Sequence, residues 1–507
     1  MGLGVVFVLG LVSLVLQFSS PNIADPDGFY HIRHAEIYRT QGLWDSSFPW
    51  TQFSVIKKYG ADIWYGFHIF LIPFTYFKDL VFGIKVAGVF VTLITLLSFW
   101  WALKRLEIIW PWLWPILLVV SGPDLMYRFT MTRPHNLSFA LGILIFSFLI
   151  KGRWRDIFMT SAVLAFIHMA LAWLPLLVGL VIVTARYIKK YPIEWTKITA
   201  LLGGILVGLL ARPNPIGGLK LAYIQVVGIL IVKLNNIPLL FGRELKGLSA
   251  GSFVRQILPI LILAIVAILF FRYSGKKTVI NQIFVIAFNS ALFLAAIFLI
   301  ISLMVAQRGY DSLSGYLIVA TAIIATSYFH ANKSENLKRK ILAGAIIIIG
   351  LMSINSINLF KTYMAQAWSP HYLKEVSLWL KENTAPGEIV FNTRWDYFGG
   401  LFFWNTQNYY IGGMDPIFEY AYNKPLYWKS YFIAADVGHI STCGKIRCVK
   451  EEIENTHNVL VKDFKASYLM LRQVQNPKLY FYLVKENKFP LVFDNGQEAV
   501  FKIPPLQ

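Results

Sequence analysis

The sequence predicts a polytopic α-helical membrane protein with about eleven spans, followed by a soluble α/β or α+β domain. Of its 507 residues, 56% are hydrophobic and only 15% are charged, whereas soluble chains average about 25% charged. The apolar residues form blocks of roughly 15–27, such as 81–103 and 280–306. Blocks of this length cross a hydrocarbon layer of about 30 Å, and they do so as helices. Thirteen of the 27 acidic residues lie in 1–361, and none of these sits in the middle of an apolar block.

Two segments determine the number of predicted spans. Residues 1–19 have neither a basic start nor a small-residue cleavage site, so we predict a first span and not a signal peptide. Residues 157–185 have basic clusters at both ends, so we predict two short spans that meet near 168–173. The predicted spans are approximately 1–19, 80–103, 108–122, 137–150, 157–168, 170–185, 197–211, 256–271, 279–306, 312–329 and 341–358.

Basic clusters set the predicted orientation in the cell membrane. They lie at 104–105, 151–155, 186–190, 272–277 and 333–340. Lys and Arg favour the cytoplasmic side. With an odd number of spans, this places the N-terminus inside and the C-terminal domain outside the cytoplasm.

The chain is therefore predicted to have two parts. Residues 1–361 form the membrane domain, and residues 362–507 form the extracytoplasmic soluble domain. Segments within 29–38 and 219–240 have helical spacing with a polar side, which is typical of helices lying along the interface. Three outer loops are too polar or amphipathic to be simple spans, and they cover 21–77, 122–136 and 212–255.

The soluble domain shows alternating helix and strand patterns, which favour an α/β or α+β unit. Residues 369–380 have the spacing of an amphipathic helix, and 388–391, 466–471 and 500–503 are predicted strands. The two cysteines, Cys443 and Cys448, either close a small disulfide loop or remain two free thiols.

The net charge of +20 does not indicate a nucleic-acid partner. The basic residues cluster at span ends and not on one soluble face. Anionic membrane lipids are the expected partners.

Asp25 and Asp27 form the most informative local feature, since they lie two residues apart just beyond the first span. Pro26 restrains the backbone between them, and Gly28 permits a tight turn. Such a pair can act as a general base or share a divalent cation, Mg or Mn, beside a lipid-borne phosphate. Alternatively, Asp27 simply caps the helix that follows.

Cationic and imidazole groups on the outer side are the candidate phosphate ligands. Arg308 lies at the outer end of a long span, at headgroup depth, where a guanidinium suits a phosphate or diphosphate. Arg133 and His135 lie on the second outer loop with Arg128, and His31 follows the acidic turn. The alternative for Arg308 is an interfacial anchor or a partner for Asp311. His168 is interpreted as a packing residue at a hairpin tip.

The order of these features resembles the GT-C superfamily of membrane glycosyltransferases. Within it, the chain is most similar to the catalytic subunit of oligosaccharyltransferases. The resemblance implies that Glu244, in the third outer loop, lies near the acceptor and that Arg308 contacts the lipid diphosphate. The matching motifs are Asp25-Pro26-Asp27-Gly28-Phe29-Tyr30-His31-Ile32-Arg33 in the first loop and Arg394-Trp395-Asp396-Tyr397-Phe398 in the soluble domain.

The second motif implies acceptor binding by Trp395, Asp396 and Tyr397, with three of five positions matching the family's pattern. The chain departs from that pattern in the second outer loop, where no acid follows Asp124. This departure argues against a metal site like the family's.

The predicted function is transfer of a sugar or oligosaccharide from a polyprenyl-phosphate or diphosphate carrier to a peptide, glycan or lipid acceptor outside. One alternative is a transporter or flippase of polyprenyl lipids or glycans, which would normally carry carboxylates within its spans. The other is a non-catalytic sensor or structural protein, in which the acidic turn would be only a helix cap.

Overall fold

The computed structural model describes residues 2–273, 282–331, 334–435, 440–487 and 489–506. Met1, residues 279–281 of a predicted span, Lys333, Gln507 and the side chains of the basic cluster 272–277 lie outside the described residues.

Helices dominate the described chain. The α-helices are Gly2–Phe18, Asp27–Gln41, Val55–Tyr59, Tyr65–Leu71, Leu80–Arg105, Leu113–Val120, Pro123–Phe129, Pro134–Lys151, Trp154–Ile167, Trp173–Ile188, Trp195–Leu210, Pro215–Tyr223, Ile229–Leu234, Ala250–Gln256, Leu258–Tyr273, Gln282–Ile300, Tyr310–Ala331, Glu335–Ala365, Lys374–Asn383, Phe398–Trp404, Pro416–Tyr422, Lys424–Ala434, Thr456–Lys462 and Pro477–Lys485. Short 3₁₀ turns cover Ile72–Tyr76, Met169–Leu171, Arg243–Leu245, Gln307–Gly309, Trp395–Tyr397 and Lys450–Glu452, and π turns cover Ile224–Gly228 and Ile301–Val305.

Within the described ranges, seven helical segments are long and apolar enough to cross a membrane, or eight if a pair bent by 48° counts as one span. The bent pair joins Ala250–Gln256 to Leu258–Phe271, and Gly2–Phe18 and Trp195–Leu210 are shorter apolar helices. The seven are Leu80–Arg105, Pro134–Lys151, Met169–Ile188, Pro215–Leu234, Gln282–Val305, Gln307–Ala331 and Glu335–Ala365.

Each predicted span contains a helix, but two segments differ from expectation. The predicted span 108–122 holds an eight-residue helix, Leu113–Val120, which is about 12 Å long and too short to cross the bilayer by itself. The segment 219–240, predicted to lie along the interface, overlaps a 20-residue apolar helical segment, Pro215–Leu234, that is also long enough to cross a membrane. The predicted break within 157–185 is present, since one helix ends at Ile167 and the next begins at Trp173.

The faces of the long helices show where lipid contacts the protein. On Glu335–Ala365, the side chains of Ile347, Leu351 and Ile354 are each more than 60% exposed. Water would not stabilise such a row, whereas hydrocarbon does. The opposite situation holds for Tyr310–Ala331, which is buried along most of its length at the centre of the helical bundle.

The C-terminal region contains a five-stranded mixed sheet. In chain order the strands are β1 (Ile389–Asn392), β2 (Tyr409–Tyr410), β3 (Ser441–Thr442), β4 (Glu454–Asn455), β5 (Tyr468–Arg472), β6 (Leu491–Asp494) and β7 (Glu498–Lys502). The order across the sheet is β2-β1-β5-β7-β6; the pairs of β1 are parallel and those of β7 antiparallel. The strands predicted near 388–391, 466–471 and 500–503 are therefore confirmed.

A separate antiparallel pair, β3 with β4, lies beside a disulfide between Cys443 and Cys448. Of the two alternatives left open by the sequence, the structure therefore has the disulfide and not two free thiols.

The first outer loop and the C-terminal region share one hydrophobic core. Ile23 exchanges backbone hydrogen bonds of 2.8 and 3.0 Å with Trp368. The ring of Tyr30 contacts those of Phe398 and Phe402. This shared core fixes the acidic turn of the first loop against the helix Phe398–Trp404.

Candidate active site

The acidic turn is built by local hydrogen bonds. The Asp25 side chain accepts a bond of 3.1 Å from the Asp27 backbone N–H, and the Asp25 carbonyl accepts one of 3.2 Å from Gly28. The helix Asp27–Gln41, called here the first-loop helix, starts at Asp27, so this carboxylate lies in its first turn. Negative charge there is favourable for the helix, but Asp27 is not the cap that the alternative interpretation expected, because Pro26 occupies the cap position and makes no side-chain cap hydrogen bond.

Arg133 joins the acidic turn to the rest of the site. It immediately precedes the helix Pro134–Lys151, and its guanidinium contacts the carboxylates of both Asp25 and Asp27. Its Nη1 also donates bonds of 2.9 and 2.8 Å to the two carboxylate oxygens of Glu244. One buried cation therefore links three acids from two different outer loops.

Glu244 is the point where the guanidinium groups converge. It lies in the short 3₁₀ turn Arg243–Leu245. Besides Arg133, its carboxylate contacts the Arg308 guanidinium, and Arg128 Nη1 lies 3.8 Å from Oε2. Two arginines of the second outer loop and one at a span end thus contact or approach one anion.

Asp311 holds Arg128 in its position. The Arg128 Nε and Nη2 atoms donate to the two oxygens of Asp311 at 2.6 and 2.8 Å, which is a bidentate pair. Nε2 of His135 lies 3.9 Å from the same carboxylate. The alternative prediction, that Asp311 pairs with Arg308, is not what the described contacts show.

Burial and charge act in opposite directions on the acids. Burial raises the pKa of Asp25 to about 7, although Arg133 beside it lowers that value. The pKa of Asp27 is raised for the same first reason. Burial would also raise the pKa of Glu244, but Arg133 and Arg308 outweigh it and hold that pKa well below its usual range. Glu244 is therefore an ionised carboxylate in an anion site.

These groups line a cavity of about 530 Å³. Its polar wall includes Asp27, His31, Arg128, Arg133, His135, Glu244, Arg308 and Asp311. Its apolar wall includes Phe139, Leu171, Trp173, Leu174, Val226, Ile229, Leu230, Phe298, Ile301 and Val305. The cavity therefore has a strongly charged part next to a part shaped by spanning helices.

The structure brings most predicted residues together. The residues that line this cavity are Asp27, His31, Arg133, His135, Glu244 and Arg308, and Asp25 contacts Arg133 from behind.

The three residues of the C-terminal motif predicted to bind the acceptor do not line this cavity and make other contacts. Asp396 pairs with Arg394 through two bonds of 2.9 Å, and Trp395 donates a bond of 2.7 Å to the Leu240 carbonyl. Tyr397 is buried and bonded to Gln475.

Sequence reasoning missed Asp415, Lys233 and Gln225, which also line the cavity. Burial raises the pKa of Asp415 to about 7. It missed Asp62 and His68 as well, which form a buried hydrogen-bonded row with His31. His168, interpreted as a packing residue, lines the cavity and contacts the Ser138 hydroxyl at 2.9 Å. These residues are far apart in the chain, so no local motif marks them.

The contacts of Asp25 and Asp27 bear on the divalent cation predicted at this pair. Both carboxylates contact Arg133, which already supplies the positive charge that a metal would bring. This arrangement does not fit a metal ion at the same pair while Arg133 holds it. In the described part of the chain, one group of three His, Asp or Glu side chains has ligand atoms within 4.8 Å of one another, namely His34, Asp62 and His68.

Comparisons with known proteins support the fold. No protein-family profile and no curated protein matches the chain. The crystal structure of ArnT from Cupriavidus metallidurans in the apo state is similar, with a TM-score of 0.54 and 13% identity over 99% of this chain and 98% of that chain. The same protein bound to undecaprenyl phosphate gives a TM-score of 0.51 and 13% identity, covering 99% of each chain.

At this identity the comparison establishes architecture. The chain has an ArnT-like fold, with a mostly helical membrane part and a small sheet-containing C-terminal region. The predicted fold class is thereby confirmed. The closer likeness to oligosaccharyltransferases stays a prediction.

Proposed function

We propose that this chain is a membrane glycosyltransferase that moves a sugar or oligosaccharide from a polyprenyl-phosphate or diphosphate carrier to an acceptor on the outer face. The observation that carries the proposal is the convergence of Arg128, Arg133 and Arg308 on one carboxylate at the wall of the cavity. A phosphate has the same charge sign and offers oxygens to several guanidinium groups at once. It would take the position of Glu244.

The apolar wall supports a lipid-borne phosphate over a free one. Residues from the spanning segments Met169–Ile188, Pro215–Leu234 and Gln282–Val305 form that wall. A polyprenyl tail remains in the bilayer, so its phosphate has to lie at headgroup depth beside such helices. The similar ArnT structure with bound undecaprenyl phosphate supports a carrier of this class.

The acids have distinct proposed roles. Asp25 and Asp27 hold Arg133 in the geometry that meets the phosphate. Asp27 also lines the cavity, where its carboxylate stabilises positive charge that develops on the sugar as the bond to phosphate breaks. No step in this scheme uses a metal ion.

The motif predicted to bind the acceptor makes its described contacts within the protein. The contacts of Trp395 hold the loop that carries Glu244, since Trp395 bonds to Leu240 and packs near Gly242, whereas Asp396 pairs with Arg394. These contacts support a structural role for the motif and give no support to a peptide acceptor.

Arg308 is the most direct test, because its side chain is 38% exposed and reaches the cavity. Losing a charged hydrogen bond to phosphate costs about 1.5–3 kcal/mol, or roughly 10- to 150-fold. We expect Arg308→Ala to weaken binding of undecaprenyl phosphate to the purified protein in nanodiscs by that factor. Arg308→Lys should recover part of the loss, because the charge returns without the planar fork.

The matched control is Arg155→Ala, an exposed arginine whose described contact is with the Trp154 ring. It should bind like the wild type. Transfer is measured as release of polyprenyl phosphate from a panel of polyprenyl-phosphate hexoses and pentoses, with membranes of a deletion strain as acceptor. Undiminished binding by Arg308→Ala, or no release from any donor by the wild type, would contradict the proposal.

A further inference from the structure

Three buried side chains form a row that leads to the cavity. Asp62 Oδ2 lies 2.5 Å from His68 Nδ1, and His68 Nε2 lies 2.8 Å from His31 Nδ1. Asp62 is 5% exposed, His68 0% and His31 2%. His31 lines the cavity, and because Nδ1 is taken by His68, Nε2 is the nitrogen that remains for a ligand there.

The row has a defined pattern of protons. The Asp62 carboxylate only accepts hydrogen bonds, and it also accepts from the Tyr38 hydroxyl at 3.1 Å and the Trp64 backbone at 2.9 Å. His68 Nδ1 must therefore carry a proton. One further proton lies between His68 Nε2 and His31 Nδ1. When it is on His31 and that ring is neutral, His31 Nε2 has a free lone pair.

The surroundings favour this resting state. Burial, followed by His68 and Arg133, holds the pKa of His31 well below its usual range, so the ring is neutral. Burial would raise the pKa of Asp62, but His68 and His34 outweigh it and lower that pKa, so the carboxylate is ionised. A negative charge thus lies at the inner end of the row and a lone pair at the cavity end.

We infer that Asp62, His68 and His31 form a proton relay that deprotonates an acceptor hydroxyl. The inference rests on the proposed function. As the acceptor oxygen bonds to the anomeric carbon, the bond from that carbon to the phosphate oxygen breaks, and its electron pair leaves with polyprenyl phosphate. The hydroxyl proton passes to His31 Nε2, and the proton on His31 Nδ1 passes to His68 Nε2. The His68 imidazolium then lies beside the Asp62 carboxylate.

The relay favours an acceptor that reacts through a hydroxyl group over one that reacts through a phosphate group. A hydroxyl becomes acidic only as its oxygen bonds to carbon, so a weak neutral base in contact with it is sufficient. A phosphate acceptor is already an anion and needs no base. Asp25 and Asp27 are less suited to this step, because Arg133 contacts both carboxylates.

A metal ion is the competing interpretation of the same side chains, since His34, Asp62 and His68 have ligand atoms close together. Two ligands about 2.1 Å from one metal ion lie roughly 3 Å apart in ordinary geometries. The 2.5 Å between Asp62 and His68 is a hydrogen-bond distance. His34 also bonds to the Tyr30 hydroxyl at 2.9 Å and is not needed for the relay.

The variants are His31→Gln and Asp62→Asn, assayed in the transfer reaction with purified full-length protein. Loss of a general base lowers kcat by about 10²–10⁴, and we expect His31→Gln to show that loss with donor KM within about threefold. Asp62→Asn should lower kcat and also reduce the solvent deuterium isotope effect on kcat. A packing defect would lower kcat without reducing that isotope effect. His371→Gln, at an exposed histidine of the C-terminal region, is the matched control and should keep wild-type kcat, whereas His34→Gln should lower kcat less than His31→Gln does. An equal loss in His34→Gln would indicate a metal site and overturn the relay.

A second measurement does not depend on activity. Solid-state NMR of ¹⁵N-histidine-labelled protein reports which ring nitrogens carry protons. At neutral pH the relay requires a protonated Nδ1 and an unprotonated Nε2 on His31, assigned by the loss of its signals in His31→Gln. A protonated Nε2 on His31 would overturn the relay even if transfer is found, whereas absent transfer with the required tautomer would contradict the proposed function instead.

Discussion

Arg133 is held by three carboxylates, and its burial makes it a poor target for a functional test. Its side chain is 14% exposed, and that of Asp25 is 4% exposed. Removing one partner from such a cluster leaves uncompensated buried charge, which costs about 3–5 kcal/mol. A variant with a truncated Arg133 side chain would therefore be destabilised, and its activity would not report on catalysis alone. Arg308, more exposed and bound to the same Glu244, separates binding from folding.

Asp415 gives a pH prediction at the residue scale. Its carboxylate lines the cavity, and burial raises its pKa to about 7. It is therefore neutral below that pH and gains a negative charge as the pH rises. Burial raises the pKa of Asp25 to about 7 as well, which adds to the effect. One added charge near an anion is worth about 1 kcal/mol, or roughly fivefold in affinity.

We accordingly expect the Kd for a polyprenyl-phosphate hexose to rise between pH 6 and pH 8. This donor is a phosphodiester whose own charge is constant over that range. Asp415→Asn should show a smaller rise, while its cap on the helix Pro416–Tyr422 is retained, since Asn also caps well. The control is Asp45→Asn, an exposed outer-loop residue. Identical pH slopes for Asp415→Asn and the wild type would refute the prediction.

The parts of the candidate site that could be predicted are those whose functional residues form a local pattern in the sequence. The acidic turn is a local pattern, and Arg308 lies beside a recognisable span end. Asp62 and His68 carry no comparable signal, because their partner His31 is more than 30 residues away and only the fold joins them. Asp415 comes from the C-terminal region and reaches the cavity through packing. Single-sequence reasoning contains no information on such distant contacts.

At the scale of elements, the close approach of the first-loop helix and the helix Phe398–Trp404 depends on one glycine. A Cβ atom on Gly399 would lie 2.8 Å from the Pro26 carbonyl oxygen. This is closer than real Cβ atoms approach a backbone atom, so one element would have to move. The residue displaced lies between Asp25 and Asp27.

We therefore expect Gly399→Ala to lower both the unfolding temperature and the transfer rate, at a cost of about 1–3 kcal/mol for overpacking. The control is Gly350→Ala on the lipid-exposed helix Glu335–Ala365, where a Cβ atom meets nothing within 4 Å. That variant should be as stable as the wild type, because alanine favours helices. If Gly399→Ala matched it in both measurements, the packing argument would be wrong.

In most places, the lengths of the apolar blocks in the sequence correctly predicted the helices. All three strands predicted in the C-terminal region are present. The segment 219–240, predicted to be an interfacial helix from a Lys and a pair of Asn residues, overlaps Pro215–Leu234, which is also apolar and long enough to span a membrane. In the structure, Lys233 donates to the carbonyls of Leu245 and Val305, so its charge is satisfied within the protein. Such compensation is invisible in a hydropathy pattern.

For the whole molecule, the predicted orientation places residues 362–507 outside the cytoplasm. A disulfide between Cys443 and Cys448 is typical of proteins in an oxidising compartment, and it supports that side. Met414 and Asp415 of the C-terminal region line the cavity, so the candidate site lies where the helical bundle meets this region. The orientation therefore also decides on which side of the membrane transfer takes place.

Alkaline phosphatase fused after Gln507 should be active in intact cells, because it folds only outside the cytoplasm. A fusion after Lys151, in a basic cluster predicted to be cytoplasmic, is the matched control and should be inactive. Thiol labelling of Cys443 and Cys448 in intact cells should need prior reduction. An inactive C-terminal fusion would reverse the orientation.

The position of Glu244 among three guanidinium groups has a consequence for choice among lipids. Glu244 is a competitor attached to the protein by its own chain, and attached groups act at effective concentrations on the order of millimolar. A phospholipid headgroup that contacts only the guanidinium groups must displace Glu244 by those contacts alone. A donor with a sugar and a long tail in the apolar wall gains further contacts that Glu244 cannot match. The site is thereby shielded from the abundant phospholipids of the surrounding bilayer and remains accessible to a scarce carrier.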